Sequence, residues 1–331
     1  MRTILLIATG GTIASRPTAA GGLAPAITSQ ELLSCVPELA EFCRIDAIQL
    51  YNLDSTNMGP EQWQGIAAAV QENYDRYDGF VITHGTDTMG YTAAALSYMI
   101  QKSPKPVVLT GRQKSISNRD TDARNNLWRA VAYACHPDAW GVQIVFDNQV
   151  ILGTRARKTR TKSFNAFSSI DYPETAMFRD RRLIQFLQRP AEYTHAVFST
   201  ALDPNVFVLR LVPGMRADII PMLEGRYRAL VLESFGVGGL PGGDDGAMFA
   251  AVRDWCGAGH LAVFTTQVPH EGSDLAVYEV GRAAKALPGV LEAHDMTPEA
   301  TAVKLMWVLG QTTDRAEAEK LFLTPVQWDI L

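Results

Sequence analysis

The sequence predicts an α/β protein made of two doubly wound α/β domains, a larger N-terminal one and a smaller C-terminal one. Three observations support this prediction: a length of 331 residues, short apolar runs that recur along the chain, and helical patterns between those runs. At about 100–200 residues per domain, the length suggests two domains. Strands that alternate with helices are typical of parallel sheets with helices on both faces.

The predicted strands are short runs of aliphatic and β-branched residues, nearly all of them apolar. Such runs suit strands that are buried on both faces. In chain order they are Thr3–Ala8, Phe80–Thr83, Val107–Thr110, Val142–Phe146, Phe207–Leu211, Ala229–Leu232 and Leu261–Thr265.

Helices are predicted where apolar residues recur about every 3.6 positions, in most cases after a capping residue or a proline suited to the first turn. These segments begin at the capping box Thr28–Glu31, at Pro60, at about Thr121, and at Thr297 with Pro298. Residues 187–205 lack such periodicity and are predicted to be a linker. The N-terminal catalytic domain is therefore predicted to span 1–186 and the C-terminal domain 206–331.

Composition argues against several classes of function. The formal net charge is −5 and the pI is about 5.7, which disfavours binding to nucleic acid or to anionic membranes. No apolar run approaches the roughly 18–20 residues of a membrane helix. The apolar start, Met1–Ala8, is too short for a signal peptide, and the four cysteines include no CxxC pair. We therefore expect a cytoplasmic protein with reduced thiols. Because no two histidines have the local spacing of zinc ligands, no metal or cofactor is predicted.

Two loops that follow predicted strands combine glycines with hydroxyl side chains. Residues 9–14 are Thr-Gly-Gly-Thr-Ile-Ala, and residues 84–89 are His-Gly-Thr-Asp-Thr-Met. Ligands of open parallel sheets bind beyond the carboxyl ends of the strands, and glycine allows backbone amides to point into a pocket. A dinucleotide fingerprint is excluded because Thr12 and Ser15 occupy its glycine positions. A Walker phosphate loop and a Gly-x-Ser-x-Gly elbow are also absent.

These two loops, in this order, closely resemble the two signatures of the bacterial-type L-asparaginase family. Residues 53–58 (Leu-Asp-Ser-Thr-Asn-Met) resemble the family's loop for the substrate carboxylate. Residues 153–158 (Gly-Thr-Arg-Ala-Arg-Lys) resemble the type I, cytoplasmic segment that carries the active-site lysine. With similar segments at 161–167, 278–281 and 304–307, the resemblance covers essentially the whole chain.

The resemblance implies a role for each matching residue. Thr12 corresponds to the nucleophile, whereas Thr86, Asp87 and Lys158 correspond to a Thr–Lys–Asp arrangement. Ser55 corresponds to the residue that holds the substrate α-carboxylate, and Asp87 is also expected to bind the α-ammonium. The set implied for substrate binding is Asp54, Ser55, Thr56, Gly85 and Asp87.

These roles are chemically coherent. A threonine hydroxyl is a poor nucleophile unless a neighbouring group accepts its proton, and a lysine can relay protons only when it is buried or coupled to partners. Backbone amides near Gly11 and Gly85 could stabilise the tetrahedral oxyanion. For Asp54, structural support is the alternative role. For His84, a fixed hydrogen bond is favoured over catalysis.

Two positions depart from the family pattern. Leu23 stands where the family often has a tyrosine that activates the nucleophile, so the proton acceptor is a water or another residue brought in by loop closure. Arg112 stands where a small side chain is commoner, and Lys114 stands where an apolar one is commoner. Our main interpretation is that both extend into solvent; the alternative is an altered substrate preference or an additional anionic contact.

The sequence thus predicts an L-asparaginase that converts L-asparagine and water to L-aspartate and ammonia, and that assembles as a homodimer or homotetramer. One alternative is a glutaminase–asparaginase of broader specificity. A second is the amidase partner of a tRNA-dependent amidotransferase, which usually has an additional N-terminal domain that is not found in this sequence. A third is a catalytically reduced amino-acid-binding or regulatory protein.

Overall fold

The computed structural model describes residues 1–10, 15–17, 23–25, 33–34, 36–114, 120–241 and 246–331, with the backbone alone at 15–17 and 23–25. The chain divides into two compact units, Met1–Thr200 and Ala201–Leu331. Both contain a sheet with helices, so the predicted α/β class with a larger N-terminal part is confirmed. The capping box at Thr28–Glu31 lies outside the described residues. The exact bounds of the predicted linker stay a prediction.

The first unit is built on an eight-stranded sheet with the order β13-β12-β9-β8-β7-β5-β1-β4. The block from β8 to β4 is parallel, and the pairs β8–β9, β9–β12 and β12–β13 are antiparallel. The strands of this unit are β1 (Arg2–Gly10), β2 (Ser15–Pro17), β3 (Leu23–Pro25), β4 (Cys43–Leu53), β5 (Gly79–Thr83), β6 (Ile100–Gln101), β7 (Pro106–Thr110), β8 (Gly141–Phe146), β9 (Gln149–Leu152), β10 (Ala156–Lys158), β11 (Phe167–Ser169), β12 (Ala176–Arg179), β13 (Arg182–Gln185) and β14 (Val197–Phe198).

Within the described residues, the α-helices with defined bounds in this unit are α1 (Pro60–Asn73), α2 (Met89–Met99) and α3 (Ala123–Ala134). The predicted helix start at Pro60 is confirmed, and its periodic residues Trp63 and Val70 are buried. At the end of α1, the Tyr74 ring stacks on Phe80 of β5 with centroids 5.9 Å apart. The helix predicted from about Thr121 begins at Ala123. Short 3₁₀ helices lie at Pro37–Glu41 and Ser55–Asn57.

The sequence-based prediction missed the edge strand β4 and the antiparallel end of the sheet. Strand β4 has only its first residue, Cys43, buried and is otherwise half-buried or exposed. An edge strand with one solvated side carries polar residues such as Arg44, Asp46 and Gln49, and so lacks the continuous apolar run that identified the central strands. Strands β12 and β13 are likewise partly exposed.

The second unit holds a four-stranded parallel sheet with the order β15-β16-β17-β18. Its elements are β15 (Val206–Arg210), β16 (Ala229–Ser234), β17 (Leu261–Thr266), β18 (Val290–Glu292), α4 (Ala247–Gly257), α5 (Glu279–Lys285), α6 (Pro298–Gln311), α7 (Arg315–Leu323) and the 3₁₀ helices Ala217–Ile219 and Pro221–Leu223. As predicted, Thr297 caps α6: its hydroxyl accepts from the amide of Ala300 at 3.1 Å.

A buried ion pair ties the end of the chain to α6. The ammonium of Lys304 lies 2.7 Å from the Asp329 carboxylate, and both side chains are fully buried. The same ammonium donates to the carbonyl of Thr324 at 2.9 Å. Removal of one charge from such a pair leaves the other buried and uncompensated. Among the described residues, no helix is long and apolar enough to cross a membrane.

The order of the parallel strands positions the candidate site. Strands β4, β1, β5 and β7 are consecutive neighbours and run in the same direction. Their carboxyl ends therefore lie along one edge of the sheet, where ligands of such sheets bind. Gly10 ends β1 with a φ of +96°, and a Cβ there would lie 2.5 Å from the amide nitrogen of Leu53. This close approach brings the carboxyl ends of β1 and β4 together.

Candidate active site

The ammonium of Lys158 lies between the side chains of Thr86 and Asp87. Its Nζ donates to Thr86 Oγ1 at 2.8 Å and to Asp87 Oδ1 at 2.6 Å. The Lys158 side chain is 16% exposed and that of Asp87 is 62% exposed. The structure therefore brings together the three residues that the resemblance grouped, although Thr86 and Lys158 are 72 positions apart in the sequence. The carboxylate remains open to solvent and to a ligand.

Two different elements supply these groups. Thr86 and Asp87 follow the wholly buried strand β5, and Lys158 ends β10, which pairs antiparallel with β11. The turn into β10 packs tightly on helix α2, because a Cβ at Gly153 would lie 2.5 Å from Ser97 Oγ. Lys162, four residues further along, is exposed. Hence the fold selects one lysine of this basic segment for the site.

His84 makes fixed hydrogen bonds beneath the site, as the sequence predicted. It is fully buried; its Nδ1 lies 2.7 Å from the carbonyl of Gly85, and its Nε2 lies 2.9 Å from Thr92 Oγ1. Because a carbonyl only accepts, the proton is assigned to Nδ1, and Nε2 accepts from the threonine hydroxyl. Burial lowers the pKa of His84 to about 4, and the bond to Gly85 opposes this shift. The imidazole is therefore neutral near pH 7.

This neutral histidine predicts an acid-dependent loss of stability. Its pKa in the folded state, about 4, lies below the ordinary value of 6.5, so the unfolded chain binds the proton more readily. The contribution to stability is present above pH 6.5 and is lost as the pH falls toward 4. Between these pH values, the free energy of unfolding should fall by about 3 kcal/mol more in the wild type than in His84→Asn. Urea unfolding at several pH values measures this difference, and parallel curves for the two proteins would contradict it.

Ser55 packs directly against Gly85. The serine is buried, and a Cβ at Gly85 would lie 2.5 Å from its Oγ. The Thr88 hydroxyl donates to the Ser55 carbonyl at 2.7 Å, which fixes the loop after β4 against the loop after β5. The residue expected to hold the substrate carboxylate is thus next to the segment that carries Thr86 and Asp87.

We expect Gly85→Ala to raise the KM for L-asparagine at least about tenfold, since overpacking of this kind costs about 1–3 kcal/mol. The added methyl must displace Ser55 from its position beside the loop. Gly59→Ala is a matched control, because a Cβ there meets only Gln62 Oε1 at an ordinary 3.6 Å. Steady-state kinetics of both variants test the expectation, and equal KM values would refute it.

Asp54 and Thr56 interact mainly with each other. The Asp54 carboxylate accepts from the Thr56 amide at 2.9 Å and from its hydroxyl at 2.9 Å, and so caps the 3₁₀ helix Ser55–Asn57. Both side chains are exposed. This geometry fits the alternative role of Asp54, which is to support the loop that presents Ser55.

Two residues of the predicted site lie outside what the structure describes in full. Thr12, the predicted nucleophile, follows Gly10 in the segment 11–14, which is not described. Leu23 lies in strand β3, of which only the backbone is described. The roles of both residues stay predictions.

Gln113 is a contact of Thr86 that no sequence motif identified. The hydroxyl of Thr86 donates to Gln113 Oε1 at 3.4 Å, and Gln113 Nε2 donates to the carbonyl of Ser163 at 3.1 Å. The side chain thus connects Thr86 with the segment that follows Lys158. Its position after β7, at the same sheet edge as the other loops, was the signal that could have identified it.

The interpretation that Arg112 extends into solvent is wrong. Arg112 is fully buried, whereas Lys114 is exposed with its ammonium 5.1 Å from the centre of the Phe164 ring. Burial lowers the pKa of Arg112 to about 10, and the nearby Asp122 carboxylate opposes the shift. The guanidinium therefore lies inside the fold rather than in solvent.

Models of two family domains match nearly the whole chain. The domain described as "Asparaginase, N-terminal" matches residues 3–192, and the domain described as "Glutaminase/Asparaginase C-terminal domain" matches residues 205–322. The chain belongs to the asparaginase family. The predicted family and amidohydrolase class are therefore confirmed.

Sequence relatives of this asparaginase-family chain carry two kinds of name. An L-asparaginase of Thermococcus kodakarensis is 40% identical over 320 residues, with 96% of each chain covered. A glutamyl-tRNA(Gln) amidotransferase chain of Pyrococcus furiosus is 37% identical over 336 residues, which are 97% of this chain and 75% of that one. Of the two activities that these names describe, L-asparagine hydrolysis is the better supported.

Solved structures of asparaginases superpose on the whole chain. The thermostable L-asparaginase from Thermococcus kodakarensis gives a TM-score of 0.93 at 38% identity, with 99% of each chain covered. L-asparaginase I from Vibrio cholerae gives 0.86 at 28% identity, covering 100% of this chain and 99% of that one. A probable cytoplasmic L-asparaginase from Campylobacter jejuni gives 0.84 at 25% identity, covering 98% and 100%.

The site has the side chains for amide hydrolysis without a metal ligand set. In the part of the chain that the structure describes, no group of three or more His, Cys, Asp or Glu side chains is placed to hold a metal ion. Instead, the ammonium of Lys158 contacts the hydroxyl of Thr86 and the carboxylate of Asp87. Such a set can move protons and bind a zwitterionic amino acid.

Proposed function

We propose that this protein hydrolyses the side-chain amide of L-asparagine, with Thr12 as nucleophile and with Thr86, Lys158 and Asp87 as the proton-relay set. The observation that carries the proposal is the position of Lys158 Nζ, 2.8 Å from Thr86 Oγ1 and 2.6 Å from Asp87 Oδ1. A largely buried lysine held between a hydroxyl and a carboxylate fits a proton relay better than a surface ion pair.

The chemistry requires that protons move in both directions. The attacking hydroxyl loses a proton as it adds to the amide carbon, and the departing nitrogen gains one to leave as ammonia. Thr86 Oγ1, in contact with Lys158 Nζ, can take up the proton of the attacking group as it passes its own proton along the relay set, and the same path in reverse delivers a proton to the leaving nitrogen. Water next attacks the acyl-threonine by the same route; direct attack by water on the amide is the equivalent one-step alternative. Backbone amides around Gly85 stabilise the oxyanion.

Recognition of a zwitterion needs one anionic and one polar partner. Asp87 is 62% exposed and bonds Lys158 through Oδ1, which leaves Oδ2 to accept from the α-ammonium. Ser55 lies against Gly85 and can donate its hydroxyl to the α-carboxylate. The two groups are carried by adjacent loops, so an amino acid can bridge them with its side-chain amide toward Thr86.

Ammonia release from L-asparagine, L-glutamine and D-asparagine tests the proposal. We expect turnover of L-asparagine to exceed that of both other substrates. Greater release from L-glutamine would favour the broader glutaminase–asparaginase or the amidotransferase-type activity, for which the similarity to the Pyrococcus furiosus amidotransferase chain is the supporting observation. Binding of L-asparagine without release of ammonia would favour a binding or regulatory protein. A large gain of activity in Leu23→Tyr would show that a hydroxyl at this position is needed.

We further propose that the protein acts in the cytoplasm as a homodimer or a homotetramer. The lack of CxxC pairs and the similarity to the probable cytoplasmic L-asparaginase of Campylobacter jejuni support the location. Light scattering of the purified protein gives the oligomeric state, and a monomer that turns over L-asparagine would contradict the proposed assembly.

A further inference from the structure

The side-chain amide of Gln113 lies between the Thr86 hydroxyl and the segment that follows Lys158. Its Oε1 is 3.4 Å from Thr86 Oγ1. Its Nε2 donates to two backbone carbonyls, that of Ser163 at 3.1 Å and that of Arg160 at 3.4 Å. Because carbonyl oxygens only accept, the nitrogen of the amide is assigned to face them and the oxygen to face Thr86. The partners of Gln113 therefore decide which of its two polar atoms meets the site.

The backbone of Gln113 is held in place as well. Its amide donates to both oxygens of the Asp122 carboxylate, at 2.8 Å and 3.1 Å, and the Lys114 amide donates to the same carboxylate at 3.0 Å. Gln113 is thus fixed at its main chain and at Nε2, independently of its contact with Thr86. A side chain supported at two points presents its remaining polar atom, Oε1, at a defined position.

These contacts determine where the hydrogen of the Thr86 hydroxyl points. A hydroxyl has one hydrogen to donate and two lone pairs that accept. The Lys158 ammonium lies 2.8 Å from Thr86 Oγ1, and since it can only donate, it occupies one lone pair. The hydrogen is directed to Gln113 Oε1, which only accepts. Among the contacts of the described residues, the second lone pair of Thr86 is left for the attacking group.

We propose that Gln113 is a positioning residue whose amide oxygen holds the Thr86 hydrogen away from the attacking group, so that a lone pair of Thr86 faces the proton to be accepted. This role rests on the proposed function, because the orientation of Thr86 affects turnover only if Thr86 takes part in the relay. The 3.4 Å contact is longer than the length of about 2.7–2.8 Å that is usual for hydroxyl bonds. It therefore orients the hydroxyl but lets it turn as protons pass.

Kinetics of Gln113→Met and Gln113→Glu separate the two polar atoms of the amide. Gln113→Met has a similar shape but lacks both atoms, and we expect its kcat for L-asparagine to fall about tenfold to a hundredfold. Its KM should change by less than about threefold, because Ser55 and Asp87 keep their positions. Gln113→Glu loses the Nε2 donors but keeps an acceptor for Thr86, and its kcat should stay within about threefold of the wild type. Wild-type kcat in Gln113→Met, or equal losses in the two variants, would overturn the role.

Gln101→Met is the control for the loss of a glutamine amide. Gln101 is also half-buried, and its Nε2 likewise donates to a backbone carbonyl, that of Tyr98 at 2.9 Å. It lies just beyond the end of helix α2, whose first residue, Met89, follows the loop of Thr86. We expect kcat and KM of this variant to match those of the wild type.

A double-mutant cycle on stability gives a readout that does not depend on activity. Urea unfolding compares the wild type, Gln113→Met, Thr86→Val and the double variant. We expect the midpoint shift of the double variant to be smaller than the sum of the single shifts, because each single substitution already removes the bond between the two side chains. Gln101→Met combined with Thr86→Val should give the plain sum, as independent sites do.

A plain sum for Gln113→Met and Thr86→Val would also overturn the role, because support of the 160–163 backbone alone does not depend on the Thr86 hydroxyl. A wild-type protein that releases no ammonia would instead overturn the proposed function, and the cycle would still decide whether Gln113 acts on Thr86. If Gln113→Met does not fold, Gln113→Ala replaces it in both measurements with the same expected results.

Discussion

Lys158→Met should lower kcat for L-asparagine by at least about a thousandfold, the scale seen when relay residues are removed from hydrolases. The ammonium of Lys158 is the group that contacts both Thr86 Oγ1 and Asp87 Oδ1. Methionine has a similar length and keeps the apolar packing of the stem, but it can neither donate nor accept the proton. The loss should therefore appear in kcat rather than in the stability of the fold.

Lys162→Met is the matched control for this loss. Lys162 lies in the same basic segment but is exposed, and we expect its variant to keep nearly wild-type kcat. Steady-state ammonia release measures both variants, and thermal unfolding shows that both are folded. Equal activity of the two, or the reverse ranking, would place the proton relay elsewhere.

Thr86→Val and Thr12→Ala should each reduce kcat by at least about a thousandfold while the protein stays folded. Valine keeps the shape of Thr86 but removes the oxygen that Lys158 contacts at 2.8 Å and the hydrogen bond to Gln113. Thr12→Ala removes the proposed nucleophile. Because the two residues act in one reaction, the double variant should be scarcely slower than either single variant.

Thr159→Val controls for the loss of a threonine hydroxyl near the site. Thr159 follows Lys158 but is exposed, and its hydroxyl contacts Ser168 Oγ at 2.8 Å. Its kcat should stay close to that of the wild type. If Thr86→Val or Thr12→Ala keeps a tenth of wild-type kcat, the role proposed for that residue is wrong.

The central strands and their loops could be predicted from the sequence because their environment is uniform. A strand that is covered on both faces is mostly apolar, as the wholly buried strands β5 and β7 are. Such an apolar run can be recognised in the sequence without knowing which strands pair with it. Strand β4 could not be found in this way, because the edge of a sheet is partly solvated and tolerates polar residues. Its pairing with β1 satisfies its backbone instead.

The candidate site was predictable in its residue types but not in its contacts. The motifs after β1 and β5 and the segment ending at Lys158 identified Thr86, Asp87 and Lys158 by resemblance. Gln113 lies in the segment 110–115, in which the sequence drew attention only to Arg112 and Lys114, so its contact with Thr86 was not predicted. It became visible only when the loop after β7 was placed beside Thr86.

The sequence by itself determined the α/β class, the order of the catalytic loops and the asparaginase-type residues, because these depend on local patterns of polarity and on short motifs. Only the tertiary structure showed that the Lys158 ammonium reaches Thr86 and Asp87, and that Arg112 is fully buried. Both outcomes depend on how residues that are distant in the sequence pack around these side chains. The surroundings of an arginine or lysine side chain are formed by residues that are distant in the sequence. Local sequence patterns therefore do not show whether its charge faces solvent or a carboxylate.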